Sequence, residues 1–242
     1  MRRLFISSIL NHRFGCYLEL HSLPKHNKPL LQVALDLTDL RKALDIAAKA
    51  YDAGASILEA GTPLIKSAGM KSISELRYEF PGAIIVADMK TMDTGYLEAT
   101  MAYEAGADIT TVLAVADDDT IKGALKAAKE HNKWVEADLI NHPDPIGRAK
   151  ELAHMGVHIA GFHIGIDTQK RLGMTAAELI DVIKNLIASI DIKVSVAGGI
   201  KPEGVRILCD IGVWKIVVGS AITKAKDPGK VTKEIIEILE TC

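Results

Sequence analysis

The feature that most constrains the fold is a rhythm. From Leu31 onward, short apolar runs of strand length alternate eight times with longer segments of helical apolar spacing, and no linker interrupts the series. The strand-like runs are Leu31 to Leu37, Ile57 to Gly61, Ala83 to Lys90, Asp108 to Ala114, Trp134 to Ile140, His158 to Gly165, Lys193 to Ile200 and Lys215 to Ile222. Between them, helices are expected over Asp39 to Ala53, Ser72 to Tyr78, Gly95 to Ala105, Asp118 to His131, Pro145 to Met155 and Thr175 to Ser189, then from Pro202, and last over Pro228 to Glu240. Gly54, Gly106 and Gly156 stand where helices stop, and Pro202 stands in a first turn, where its missing N–H costs nothing. Parallel strands need helical crossovers, and eight of them close without an exposed edge. The pattern therefore predicts an α/β protein of the (β/α)8 TIM-barrel type, in a single domain. A doubly wound open sheet fits less well: it usually has fewer strands and a glycine-rich turn after the first, where this chain reads Asp36-Leu-Thr-Asp39.

The expected organisation is an N-terminal extension over residues 1–30 and a catalytic barrel over residues 31–242. The extension starts like a signal peptide, but Asn11-His-Arg13 interrupts its apolar run and no convincing cleavage site follows. A net charge of −2 with evenly mixed signs offers no basic stripe for nucleic acid and no polybasic patch for a membrane. Small molecules or copies of the same chain are the expected partners. Cys16, Cys209 and Cys242 lie far apart with no C-x-x-C spacing, which argues against a zinc knuckle or a disulfide scaffold and fits a reducing cytoplasm. Cys209 falls in an expected helix and reads as inert packing.

In a barrel the C-terminal ends of all strands open on one face, so residues ending different strands become neighbours. Asp36, Glu59, Asp88, Lys90 and His163 all occupy such ends. Each alone has an ordinary explanation as a cap, a surface ion pair or a core histidine. Together they are hard to explain as structure, because buried charges without partners are expensive. The third run is the most pointed: Ala83 to Val86 ends abruptly in Asp88-Met-Lys90-Thr-Met-Asp93. The last two runs end in Ala197-Gly198-Gly199-Ile200 and Val218-Gly219-Ser220-Ala221, where backbone can approach a phosphate and present N–H donors. Gly198, Gly199, Gly219 and Ser220 are the candidate phosphate loop. Glu136 and Asp138 alternate onto one strand face and fit an ion pair or a cap as well as a substrate contact. Asp117-Asp118-Asp119 precedes a helix and reads as capping.

These motifs carry a resemblance. Asp88-x-Lys90-x-x-Asp93, Glu59-Ala-Gly61-Thr-Pro63, His163-x-Gly165-x-Asp167-x-Gln169, Ala197-Gly-Gly-Ile200 and Val218-Gly219-x-Ala-Ile-Thr223 resemble the orotidine monophosphate decarboxylase superfamily, and within it the 3-hexulose-6-phosphate synthases. The resemblance covers Leu31 to the C-terminus. It implies an aldolase-type lyase that reversibly joins formaldehyde to D-ribulose 5-phosphate through a 1,2-enediolate. It also implies a homodimer with shared active sites, with Mg2+ held by Glu59 and Asp88, Lys90 beside the developing charge, and Asp93 reaching into the partner subunit's site. The oxygen ligands suit a hard cation. His163 is the expected general base, with Lys90 or Asp36 as substitutes. The related 3-keto-L-gulonate-6-phosphate decarboxylases typically have arginines where this chain has Ile166 and Ser220, and both departures favour the synthases. Orotidine monophosphate decarboxylation is disfavoured, because that metal-free site adds a further lysine. A non-catalytic barrel that binds a sugar phosphate is the alternative of another class.

Overall fold

The computed structural model describes residues 28–242. The expected N-terminal extension lies outside the described residues except for its last three positions, and Leu30 already opens the first strand. Eight parallel strands close into a barrel in chain order. They are β1 (Leu30–Leu35), β2 (Ile57–Ala60), β3 (Ile84–Thr91), β4 (Ile109–Leu113), β5 (Trp134–Asp138), β6 (Ile159–His163), β7 (Lys193–Ala197) and β8 (Lys215–Val218). Closure is made by β1 against β8, with Leu30 opposite Lys215 and Gln32 opposite Val217.

Around the barrel run α1 (Leu40–Asp52), α2 (Thr62–Ala68), α3 (Lys71–Glu79), α4 (Gly95–Glu104), α5 (Asp118–His131) and α6 (Pro145–Met155). They are followed by α7 (Ile166–Leu172), α8 (Ile180–Ser189), α9 (Pro202–Asp210), α10 (Ser220–Thr223) and α11 (Pro228–Glu240). Asp39, Asp117, Asp144 and Asp227 cap the long helices α1, α5, α6 and α11 with side-chain hydrogen bonds to first-turn N–H groups. Asp117 therefore serves as the cap its position suggested.

Four expectations need correction. The eighth strand ends at Val218, and Ser220 to Ile222, expected as its continuation, belong to the short helix α10. The second unit holds two helices where one was expected, because Gly69 with a φ of 65° stops α2 before α3 begins. The sixth unit likewise has α7 ahead of a short 3-10 turn at Ala176–Glu178, and only then α8. Cys209 is not isolated packing: it forms a disulfide with Cys242, tying α9 to the residue that follows α11 by two positions.

Alternation along the strands sorts side chains into two cores. Leu31, Val33, Leu35, Leu58, Ile85, Val135, Val196 and Ile216 pack outward against the helices. The inward set is layered. At the N-terminal end Ile57, Val86, Ile109, Trp134, Ile159 and Trp214 form an apolar plug. Above it, in place of the branched apolar residues that usually fill a barrel, lie Gln32, Glu59, Glu136, Ser195 and Lys215, all buried. The third level opens as the site.

Candidate active site

Asp88 and Lys90 are two apart on β3 and so share its inward face. The strand does not stay regular between them and its end. Its register against β4 slips between Ala87 and Thr91, and Lys90 adopts a φ of 46°, a left-handed conformation that residues with side chains seldom take. The Lys90 N–H donates to Thr111 Oγ1 at 2.9 Å, which satisfies a ladder donor that the slip releases. Its Nζ comes to 3.0 Å from Asp88 Oδ2 and 2.7 Å from Asp138 Oδ2. Burial alone would lower the basicity of this amine, but the charges of Asp88 and Asp138 outweigh it and raise it well above the ordinary lysine range.

Asp138 is the hub of the arrangement. Its Oδ2 also faces His163 Nδ1 at 3.0 Å, and its Oδ1 accepts the Ile140 N–H at 2.9 Å. Burial would push this carboxyl up, yet the charges and hydrogen bonds of His163 and Lys90 hold it far below the usual carboxylate range. An ionised carboxylate only accepts. His163 must therefore place its proton on Nδ1, which leaves Nε2 with a lone pair when the ring is neutral.

Across the barrel, Glu59 and Asp36 complete an acidic side. Burial, then Asp88, then Asp36 drive the Glu59 carboxyl well above its ordinary range, and burial with Asp88 raises Asp36. The Asp36 side chain is solvent-accessible at the mouth but walled in by backbone. A Cβ built on Gly61 would fall 2.2 Å from Asp36 Oδ1, so only glycine there leaves room for that carboxylate. Thr62 Oγ1 reaches Asp88 Oδ2 at 2.8 Å, and Thr111 Oγ1 reaches Asp88 Oδ1 at 2.8 Å. Three carboxylates thus crowd around one amine on this side. Among the described residues no group of three or more acidic, histidine or cysteine side chains is ready to hold a cation. Glu59 and Asp88 nevertheless offer hard oxygens in a pocket with surplus negative charge. That donor set fits a divalent cation such as Mg2+ whose remaining positions are filled from outside the protein.

All these groups line one cavity of about 450 Å³, a volume suited to a small metabolite. Its opposite wall is made of Gly198, Gly199, Gly219, Ser220 and the side of Gln169. Gly198 and Gly199 have φ values of 121° and 68°, a conformation closed to most side-chain residues, and this turns the backbone at the end of β7. Ile166 and Ser220 both line the cavity and bring no charge to it.

Of the ten residues singled out from the sequence, nine line this cavity: Asp36, Glu59, Asp88, Lys90, His163, Gly198, Gly199, Gly219 and Ser220. Asp93 does not. It is exposed beyond β3, where its Oδ1 accepts the N–H of Thr94 at 2.7 Å. The sequence reading also left Asp138 undecided between roles, and missed Thr62, Thr111, Lys224, Gln32 and Ser195 in the cavity lining and the buried Lys215 that bonds to Gln32. A signal was present. Gln32 is four positions before Asp36, and Lys215 four before Gly219, so each lies in phase with a strand-end residue already chosen.

Comparison with known proteins then fixes the kinship. A family model described as orotidine 5'-phosphate decarboxylase / HUMPS matches residues 29–235. The chain belongs to that family. It is 45% identical over 206 residues to the 3-hexulose-6-phosphate synthase of Methylomonas aminofaciens, covering 85% of this chain and 97% of that protein. Identity to the 3-hexulose-6-phosphate synthase of Mycobacterium gastri is 41% over 208 residues, again 85% and 97% of the two chains. A crystal structure of a 3-hexulose-6-phosphate synthase superposes with a TM-score of 0.82 at 40% identity, covering 87% of this chain and 99% of the other. Within the described residues, no helix is long and apolar enough to cross a membrane.

Proposed function

We propose that this family member is a 3-hexulose-6-phosphate synthase, an aldehyde-lyase that reversibly condenses formaldehyde with D-ribulose 5-phosphate to D-arabino-hex-3-ulose 6-phosphate. The observation that carries the reading is similarity to a synthase at 45% identity along 97% of that protein's length. The cavity supports it, since it combines a proton-accepting imidazole, an amine, a cation-suited acidic pair and a glycine-built wall for phosphate.

In this reading Gly198, Gly199, Gly219 and Ser220 hold the substrate phosphate, and Lys224, which also lines the cavity, adds a positive charge. The sugar then extends toward His163. Nε2 of His163 takes a proton from C1 of ribulose 5-phosphate, leaving a C1–C2 enediolate, and C1 bonds to the formaldehyde carbon. The formaldehyde oxygen takes up the proton that His163 holds, so the base is regenerated and no net proton is released. Lys90, fixed by Asp88 and Asp138, keeps a positive charge beside the reacting oxygens. Mg2+ held by Glu59 and Asp88 would supply further neutralisation of negative charge on adjacent substrate oxygens. Asp36 stands at the mouth as a second acid or base in reserve.

The reading also includes a homodimer with shared sites. Asp93 is outside its own cavity, and Met92, Leu97 and Met101 expose apolar side chains on the same segment and on α4, as a surface awaiting a second copy would. That a doubly charged sugar phosphate does not cross a bilayer unaided favours a cytoplasmic enzyme, and the Cys209–Cys242 disulfide is the feature that weighs the other way. Incubating purified protein with formaldehyde, ribulose 5-phosphate and Mg2+ tests the activity, and no formaldehyde consumption at high enzyme concentration would sink it. Mixing Lys90→Ala with Asp93→Ala chains tests the sharing: mixed dimers should regain activity that neither variant has alone.

A further inference from the structure

The middle layer of the barrel contains the largest fully buried side chain in the described protein, and it is a lysine. Lys215 is 0% exposed. Its Nζ donates to Glu136 Oε2 at 2.6 Å and to Gln32 Oε1, and Glu136 Oε1 in turn accepts from Ser195 Oγ. Gln32 Nε2 then donates to Glu59 Oε2 at 2.5 Å. The chain of contacts runs from β8 through β1 to β2 and ends on a carboxylate of the site.

Stability does not account for this layer. Branched apolar side chains fill the same level in ordinary barrels, and replacing a buried ion pair by packed apolar residues is often neutral or favourable. Direction does account for it. An amide can present its oxygen or its NH2 to a given neighbour. An ammonium has donors and no acceptor, so it compels Gln32 to turn its oxygen toward Lys215 and its NH2 toward Glu59. Gln32 is the one hydrogen-bond donor to Glu59 among the described residues. Without Lys215 the amide is free to flip, and its oxygen would then face the carboxylate it now serves.

We infer that Lys215 is a positioning residue: by fixing the orientation of the Gln32 amide it holds Glu59 ready to bind the divalent cation. The inference rests on the proposed cation role of Glu59. Glu136 neutralises the ammonium, and of the layer's polar groups Gln32 is the one that donates to Glu59 among the described residues.

The test uses Lys215→Met together with Glu136→Gln, which removes both buried charges at once, alongside Gln32→Leu and the triple variant. Lys215→Met alone would strand the Glu136 charge and is not relied on to fold. Mn2+ and Mg2+ affinities are measured by calorimetry on the full-length protein without substrate, with thermal melting to establish folding. Phosphate-side binding is followed through the affinity for ribulose 5-phosphate. The double variant should bind the cation roughly tenfold or more weakly, the usual scale for an outer partner of a metal ligand, with sugar-phosphate affinity retained. Gln32→Leu should show the same loss, and the triple variant no further loss, since both changes cut one line of action. Cation affinity unchanged in folded variants, or losses that simply add, would overturn the inference while leaving the metal reading intact. A wild-type protein that binds neither cation and turns over fully in EDTA would overturn both.

Discussion

Replacing Asp138 by asparagine is the sharpest single perturbation of the site. The change preserves shape and removes one charge from a group that accepts from Lys90 at 2.7 Å, from His163 at 3.0 Å and from the Ile140 N–H at 2.9 Å. An amide has one oxygen for three donors, so its own NH2 must face Lys90, His163 or the backbone. Hydrogen bonds to a charged partner are worth about 1.5–3 kcal/mol each. The two that hold the reacting groups therefore account for about 3–6 kcal/mol of positioning, of which 1.4 kcal/mol corresponds to each factor of ten in rate. Loss of the fixed His163 tautomer acts in the same direction. We expect kcat for hexulose phosphate formation to fall by about 10² or more, with KM for ribulose 5-phosphate changed by less than about threefold, because the glycine wall is untouched. The assay is initial rate at saturating formaldehyde and Mg2+, paired with solvent deuterium exchange into C1 of the sugar. Both rates should fall together. A variant within about threefold of wild type in either would refute the assignment of Asp138 as the group that orients the base.

Four further outcomes are expected. Glu59→Gln or Asp88→Asn should abolish turnover while circular dichroism and melting show the fold intact, and full wild-type activity in EDTA would refute the metal assignment. His163→Asn should bind ribulose 5-phosphate nearly normally and lose about 10² in kcat, and C1 exchange at the wild-type rate would transfer the base role to Lys90 or Asp36. Because the native Glu59 carboxyl is held above its ordinary value of about 4.3, the metal-free native state binds the extra proton above that pH, so stability rises as pH falls. Metal-free wild type should gain thermal stability relative to Glu59→Gln as the pH is lowered toward the ordinary glutamate range, and identical pH profiles for the two would count against the crowded acidic side. Opening the Cys209–Cys242 disulfide with reductant should cost about 2–4 kcal/mol in denaturant unfolding without altering kcat, which thiol titration and assay together would check.

The barrel was legible because its evidence is repetitive: eight apolar runs, each bounded by glycine or charge, overrule any local ambiguity. Short helices were not legible for the opposite reason. α2 is seven residues with Pro63 in its first turn and Gly69 at its end, too brief to show a helical period. The upper site could be read because charges that end apolar strands are conspicuous. The middle layer could not, since Gln32 and Ser195 each stand alone inside an apolar run and Lys215 stands at the edge of one, where a lysine suggests solvent. The phase of Gln32 and Lys215 with Asp36 and Gly219 hints that both face inward, but it is barrel closure, which sets β8 beside β1, that shows Lys215 meeting Gln32. Cys209 and Cys242 illustrate the same limit: separated by 33 positions, they meet because α9 and α11 are neighbours on the barrel surface.

The apolar plug of Ile57, Val86, Ile109, Trp134, Ile159 and Trp214 seals the barrel beneath the reacting groups. The cavity above it is closed at that end, and on the proposed reading two reactants and one product must share it. Formaldehyde arriving in an empty pocket finds no carbon nucleophile, whereas a seated sugar phosphate leaves only the space beside its C1. On the proposed reading, an order in which the larger partner enters first would follow, and the six-carbon product would have to clear the same mouth before the next pair.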